Sequence, residues 1–356
     1  MTFDPLLRQA AEAVLSRPTA PYFEFQVRDA VETFLGGLPF LSLRRDAFGN
    51  VIAHYRHRPL PGRAFAMVAH MDHPGFWVRG PRDIEFGGGV SEAYFPGRKV
   101  VFFRKDSPVP VDRAVIQRTA WDQRHKRVFL DRPIRGADFG MWDLPALRMG
   151  KTMVSARACD DLVGVATMAA VLRRLALAKA RADVYALFTR AEEVGFHGAL
   201  AHLLARARLP RVPVLSLETS NARGFARLGA GPILRVGDRT SVFDPGITAW
   251  LQHAFEKIPS ALPHQRLLMG GGTCEATALA YGGYATGALC VGLKNYHNMA
   301  PGNRIASEAV SSSDWNGLHR FLVFLAVHAP SPAEAGKRRF RRLADLQKAA
   351  RRRLKE

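Results

Sequence analysis

The sequence predicts an α/β fold, a mostly parallel sheet sandwiched by helices, with a small all-β domain inserted into it. Three observations carry that prediction. Beyond Ser155, apolar runs of strand length alternate with amphipathic helical segments, the mark of a sheet covered on both faces. Between Gly80 and Arg148 the pattern breaks into brief apolar pieces, Lys99 to Phe103, Arg113 to Gln117 and Val128 to Leu130, separated by Gly, Pro and Asp clusters. The chain has 356 residues, which at about 100–200 residues per domain means two domains or one large domain with an insertion. The expected divisions are 1–77 and 154–330 for the two parts of the α/β domain, 78–153 for the insert, and 331–356 for a basic helix or tail.

In chain order, Phe3 to Leu15 and Tyr22 to Leu35 carry apolar residues at helical spacing on either side of the breakers Pro18 and Pro21. Leu41 to Arg45 and Val51 to Tyr55 read as strands around Asp46, Gly49 and Asn50, residues that tolerate the positive φ of a tight hairpin. Arg63 to His70 is a buried-strand run ending on polar residues, where an α/β fold puts its chemistry. After the insert, Leu162 to Leu177 predicts an Ala-rich helix, Val184 to Thr189 a strand, Gly198 to Ala207 a helix, and Val212 to Leu217 a strand. Gly246 to Glu256 is a helix, Ala285 to Leu293 a further strand, and Val310 to Val327 a final packed helix.

With 47% apolar and 23% charged residues, the composition excludes disorder, collagen-like repeats and disulfide scaffolds. Cys159, Cys274 and Cys290 form no CxxC pair and read as reduced, buried thiols. No apolar run approaches the roughly 20 residues of a spanning helix, and the start lacks a cleavage pattern, so the expectation is a cytoplasmic protein without a membrane partner. A formal charge of +20 raises nucleic acid as a partner. Its distribution argues against that reading: the last twenty residues hold ten Lys/Arg and two acids, hence +8, and the rest is spread thinly. Phe340, Leu343, Leu346 and Ala350 recur at helical spacing there, as a docking helix or a solvated end.

Acidic and imidazole side chains gather at strand ends: His70 with Asp72, Asp160 with Asp161, Glu192 with Glu193, Glu218, and His297. Taken singly, each has a plain structural explanation; Asp160-Asp161, for instance, reads as a helix cap. Together, carboxylates brought to one sheet edge repel and desolvate one another and need cations between them. Two divalent metals about 3.5–4 Å apart supply that charge, with a bridging carboxylate, terminal His and acidic ligands, and an unligated acid as base. Nitrogen and oxygen ligands without thiolate favour zinc, with cobalt or manganese as alternatives.

The motifs AHMDHPGF, ARACDDLVG, FTRAEEVGFHGA, SLETS, GGGT and YHNM, in that order, resemble the TET-type (glutamyl-type) dinuclear aminopeptidases of the zinc aminopeptidase and carboxypeptidase clan, over about Asp46 to Met299. About ninety residues separate His70 from Asp160, as for that family's inserted β-rich dimerisation-type module, and the interval from Glu218 to His297 is too short for the lid domain of other clan members. The resemblance implies that Asp160 bridges two ions, with His70 and Glu218 completing one site and Glu193 and His297 the other. Glu192 is then the base and Asp72 orients the His70 imidazole. The Asp160-Asp161 peptide is expected to be cis, and Gly271, Gly272 and Thr273, in the Gly-rich turn that starts at Gly270, to contact substrate. The implied activity is hydrolysis of the N-terminal amide bond of short peptides through a metal-bridging hydroxide, in a homo-oligomer, a dimer or a larger shell. N-deacylation of small amides and an inactive basic scaffold that binds nucleic acid are the alternatives. The chain departs from the family pattern at His73, commonly acidic there, at Glu218, usually Asp, and in lacking Ser-Pro after His297.

Overall fold

The computed structural model describes residues 3–222, 224 and 226–354. Its centre is an eleven-stranded mixed sheet. Four parallel neighbours form the middle, in the order Ala182–Thr189, Phe65–His70, Val214–Asn221 and Thr286–Lys294. The hairpin of Leu41–Arg45 and Val51–His57 extends one side antiparallel; Glu308–Ser311, Met153–Ala156 and Leu147–Met149 extend the other. Ile233–Gly237 and Gln265–Leu268 branch from Thr286–Lys294.

Alternation along Phe65–His70 explains why both faces are covered. Phe65, Met67 and Ala69 point into the larger core, beneath the helices Pro5–Val14, Phe25–Leu35, Leu162–Leu177, Pro245–Lys257 and Ser312–Val327. Ala66 and Val68 point the other way, into a smaller core completed by Leu209, Leu279 and Tyr284. Leu162–Leu177 is buried along almost its whole length, which its Ala-rich, nearly uncharged sequence permits.

The inserted module is a closed antiparallel barrel in the order Gly75–Gly80, Asp83–Gly87, Lys126–Leu130, Ser107–Trp121, Lys99–Arg104 and Phe139–Trp142, the last pairing back onto the first. Closure removes the exposed sheet edges that short strands would otherwise leave. Phe76, Phe86, Phe95, Phe102 and Trp142 fill its centre. Among the described residues, no helix is long and apolar enough to cross a membrane.

The helices fall close to their expected places, with ends at Pro5–Val14, Phe25–Leu35, His197–Leu204, Pro245–Lys257 and Ser312–Val327. Short elements escaped the sequence pattern: the branch strands, the helix Glu275–Tyr281 and the strand Glu308–Ser311. Pro332–Arg339 and Arg341–Arg353 are helical, and Leu343 and Leu346 stand exposed.

Candidate metal centre

Parallel strands of matched register bring their C-terminal ends level, and the site is built there. Thr189 lies beside His70 across the ladder, so the loop Arg190 to Glu193 starts next to the imidazole. Glu218 lies in the buried run of Val214–Asn221, one ladder over, and Asp160 lies in the turn before Leu162–Leu177. His297 follows Thr286–Lys294 on a turn with left-handed backbone at Asn295, His297 and Asn298.

Ligand atoms of His70, Asp160 and Glu218 lie within 4.8 Å of one another, and so do those of Asp160, Glu193 and His297. Asp160 belongs to both groups. A third grouping joins His70, Glu192 and Glu193. His70 Nε2 is 3.6 Å from Asp160 Oδ1, while His297 Nε2 is 3.7 Å from Asp160 Oδ2 and 3.1 Å from Glu193 Oε2. Asp160 Oδ1 and Glu193 Oε1 are buried without a hydrogen-bond partner, which is costly for a carboxylate unless a cation lies against it. The donor set therefore fits a pair of divalent ions.

Burial pushes Glu192 well above the ordinary carboxylate range, with Glu193 and Glu218 adding to it. Burial likewise lifts Glu218 to about 7, Asp160 adding. Burial opposes charge on His297, yet Glu193 and Asp160 outweigh it and raise the imidazole to about 9. Each shift reports the same fact: several acids share a dry volume and must recruit positive charge.

The supports come from a wider part of the chain. Asp72 offers its backbone carbonyl to His70 Nδ1 at 3.2 Å, closer than its carboxylate at 3.5 Å. That carboxylate instead accepts from the backbone N–H of Glu192 and of Glu193. Glu308 accepts from the N–H of Cys159, Asp160 and His297, tying both halves of the site together. His73 sets one ring nitrogen against the Asp160 carbonyl at 2.7 Å and the other against Asn298 Oδ1 at 3.0 Å. Gly89, from a loop of the barrel, accepts from His297 Nδ1 at 2.9 Å. The Asp160-Asp161 peptide is cis, and Asp161 caps the following helix by accepting from Gly164 N–H. Only glycine fits at 164, since a Cβ there would meet Asp161 Oδ2 at 2.1 Å.

A cavity of about 420 Å³ opens over the centre, lined by all five candidate ligands, Glu192, Tyr296 and the turn Gly270 to Thr273. Gly271 and Gly272 face open space, and the Thr273 hydroxyl bonds to that of Thr240. Arg235, 5% exposed, also lines it. Its guanidinium makes hydrogen bonds of 3.3–3.5 Å to Ser220 Oγ and to three carbonyls, with no ion pair to an acid among the described residues. Sequence reasoning missed Arg235, Glu308, Asn298 and Glu275, the last fully buried and raised to about 8 by that burial. Arg235, Glu308 and Glu275 sit in none of the motifs above; Asn298 lies in YHNM beside His297, but its bond to His73 joins segments 225 residues apart.

Comparison with known proteins places this geometry in a family. Residues 122–308, just over half of the chain, match the model of the M42 glutamyl aminopeptidases. A chain from Acetivibrio thermocellus, named as a candidate aminopeptidase, is 24% identical over 307 residues, 79% of this chain and 87% of that one. Among solved structures, a TET aminopeptidase from a marine-sediment thaumarchaeon is similar at TM-score 0.74 and 17% identity, covering 90% of this chain and 97% of that one. The Pyrococcus horikoshii TET1 peptidase is similar at TM-score 0.72 and 20% identity, covering 90% and 99%. The chain belongs to the M42 glutamyl aminopeptidase family, the TET-type dinuclear metallopeptidases of the zinc aminopeptidase clan.

Proposed function

We propose that the protein is a metallo-aminopeptidase that hydrolyses the N-terminal amide bond of short peptides. His70 and Glu218 would hold one divalent ion, Glu193 and His297 the other, and Asp160 both; zinc suits these donors best. The observation that carries the reading is the pair of three-residue groups sharing Asp160, beside one acid that the two groups leave over, Glu192. When bound, the ions supply an acidified water and polarise the scissile carbonyl. Glu192 takes the proton from the attacking water and returns it to the leaving amine. Asp72 holds the Glu192 and Glu193 backbone, so base and ligand move as one piece. Arg235, a buried cation on the cavity wall, favours substrates whose first residue is acidic, by charge-assisted hydrogen bonding.

The similar P. horikoshii peptidase is described as assembling into a tetrahedron or a large octahedral shell, and a homo-oligomer that admits only short peptides is proposed here too. The test is a small panel on metal-loaded protein. Free aminoacyl anilides, the glutamyl one fastest, should be turned over and their N-acetylated forms not, with two metal equivalents per chain. Turnover of the acetylated forms alone would make the enzyme a deacylase; one equivalent or none would remove the dinuclear centre.

A further inference from the structure

The loop that carries Glu192 and Glu193 is held by two carboxylates, and only one of them belongs to a site motif. Ala191 has a left-handed backbone, φ 49°, which turns the consecutive N–H groups of residues 191, 192 and 193 toward acceptors on one side. Asp72 Oδ1 and Oδ2 take the second and third, at 2.9 and 3.1 Å. Glu24 Oε1 takes the first, at 3.0 Å.

Glu24 comes from the N-terminal segment, far from the site in sequence and 1% exposed in the fold. Its Oε1 also accepts from Tyr22 N–H at 2.7 Å, and Oε2 accepts from Arg190 Nε at 2.7 Å. Arg190 donates onward to the carbonyls of Tyr22 and Phe48, and its own N–H reaches Asn50 Oδ1. The loop's first two residues are thus bolted to two segments outside the parallel core, the N-terminal turn and the Asp46 to Asn50 hairpin. Removing the Glu24 carboxylate leaves the buried Ala191 N–H without its acceptor and takes one of three from the partly exposed Arg190 guanidinium, an incentive for the loop to rotate.

We infer that Glu24 is a positioning residue for Glu192: it fixes the near end of the loop as Asp72 fixes the far end, and so sets where the Glu192 carboxylate lies over the site. The inference rests on the reading of Glu192 as the base. A displacement of about 1 Å in a reacting group can cost about 100-fold in rate, whereas ground-state binding by the cavity wall is untouched.

A double-mutant cycle on the metal-loaded full chain tests this, with an aminoacyl anilide as substrate. Glu24→Ala should lower kcat by about 10–100-fold with KM within about twofold and two metal equivalents retained. In an E192Q background the same change should cost nothing further, because the group it positions no longer works. Glu24→Gln keeps an acceptor for Ala191 N–H and should recover part of the loss; if the alanine variant fails to fold, the glutamine variant in both backgrounds carries the test. The inference is overturned if either substitution leaves kcat unchanged, strips metal, or lowers turnover as much in the E192Q background as in the native one. A fully active E192Q would instead overturn the base assignment itself.

Discussion

The centre of the barrel and the C-terminal ends of the parallel strands are both buried and opposite in chemistry. Inside the barrel, Phe76, Phe86, Phe95 and Trp142 meet at centroid separations of 4.9–6.1 Å, every pair edge to face but the tilted Phe86–Trp142, and no charged side chain of the described residues between Gly75 and Trp142 is fully buried. At the strand ends, His70, Asp72, His73, Asp160, Asp161, Glu218, Glu275, His297 and Glu308 are all buried within a short reach of one another. Aromatic packing stabilises the fold through area and ring geometry. Buried like charge does the reverse, and is retained for what it binds.

The difference predicts which changes separate activity from stability. Glu192→Gln keeps shape and removes a charge from an acid-rich volume, so the thermal midpoint should hold or rise while kcat falls by several orders of magnitude. Steady-state kinetics beside thermal denaturation and metal content check this. A midpoint that falls with the activity would mean that Glu192 is a structural acid and that the two regions do not differ as argued.

Phe95→Ala inverts the pattern. Phe95 is fully buried and touches Phe76, Phe86, Trp121 and Trp142 ring to ring. Its truncation should cost about 3–5 kcal/mol of unfolding free energy. Turnover per folded, metal-loaded molecule should stay near normal, because the hydrogen bond the barrel gives His297 comes from Gly89, in the loop after Asp83–Gly87, while Phe95 lies in the barrel's own core. Urea unfolding and active-site titration read the two quantities apart. Loss of turnover without loss of stability would show the barrel to be part of the chemistry.

What the sequence revealed follows the same division. Strand-end residues were legible because short motifs such as HMD, CDD and AEE put two functional side chains beside a strand whose apolar run is easily seen, and an α/β sheet brings such ends together. The insert was legible as β-rich from its lack of helical period, but not its closure, since Phe139–Trp142 pairs with Gly75–Gly80 some sixty residues away. Glu24, Arg235 and Glu308 stayed hidden for that reason. Glu308 sits in a four-residue strand whose place beside Met153–Ala156 no local pattern gives. Asp72 was seen as a partner of His70, while its hold on the acid loop depends on a turn 120 residues on.

The smallest effect should come from the helical layer, at a buried titratable group that lies away from the site. His319, on Ser312–Val327, is 2% exposed and faces Asp4, 4.0 Å from its Nδ1, and Arg174, which is itself paired to Asp4. Burial pulls the imidazole down to about 4; Asp4 opposes this and Arg174 reinforces it. The folded chain therefore keeps His319 neutral where the unfolded chain, at about 6.5, takes up a proton. Between those values the unfolded state binds more protons, so the contribution is whole above pH about 6.5, shrinks as pH falls, and levels off below about 4. From pH 6.5 to 5 the loss should be about 2 kcal/mol. His319→Gln should flatten that part of the stability curve, read by urea unfolding at the two pH values, while the carboxylate contributions common to both proteins cancel in the difference. Equal slopes would mean that water reaches His319, and that burying an ionisable group has a measurable cost only at the metal centre.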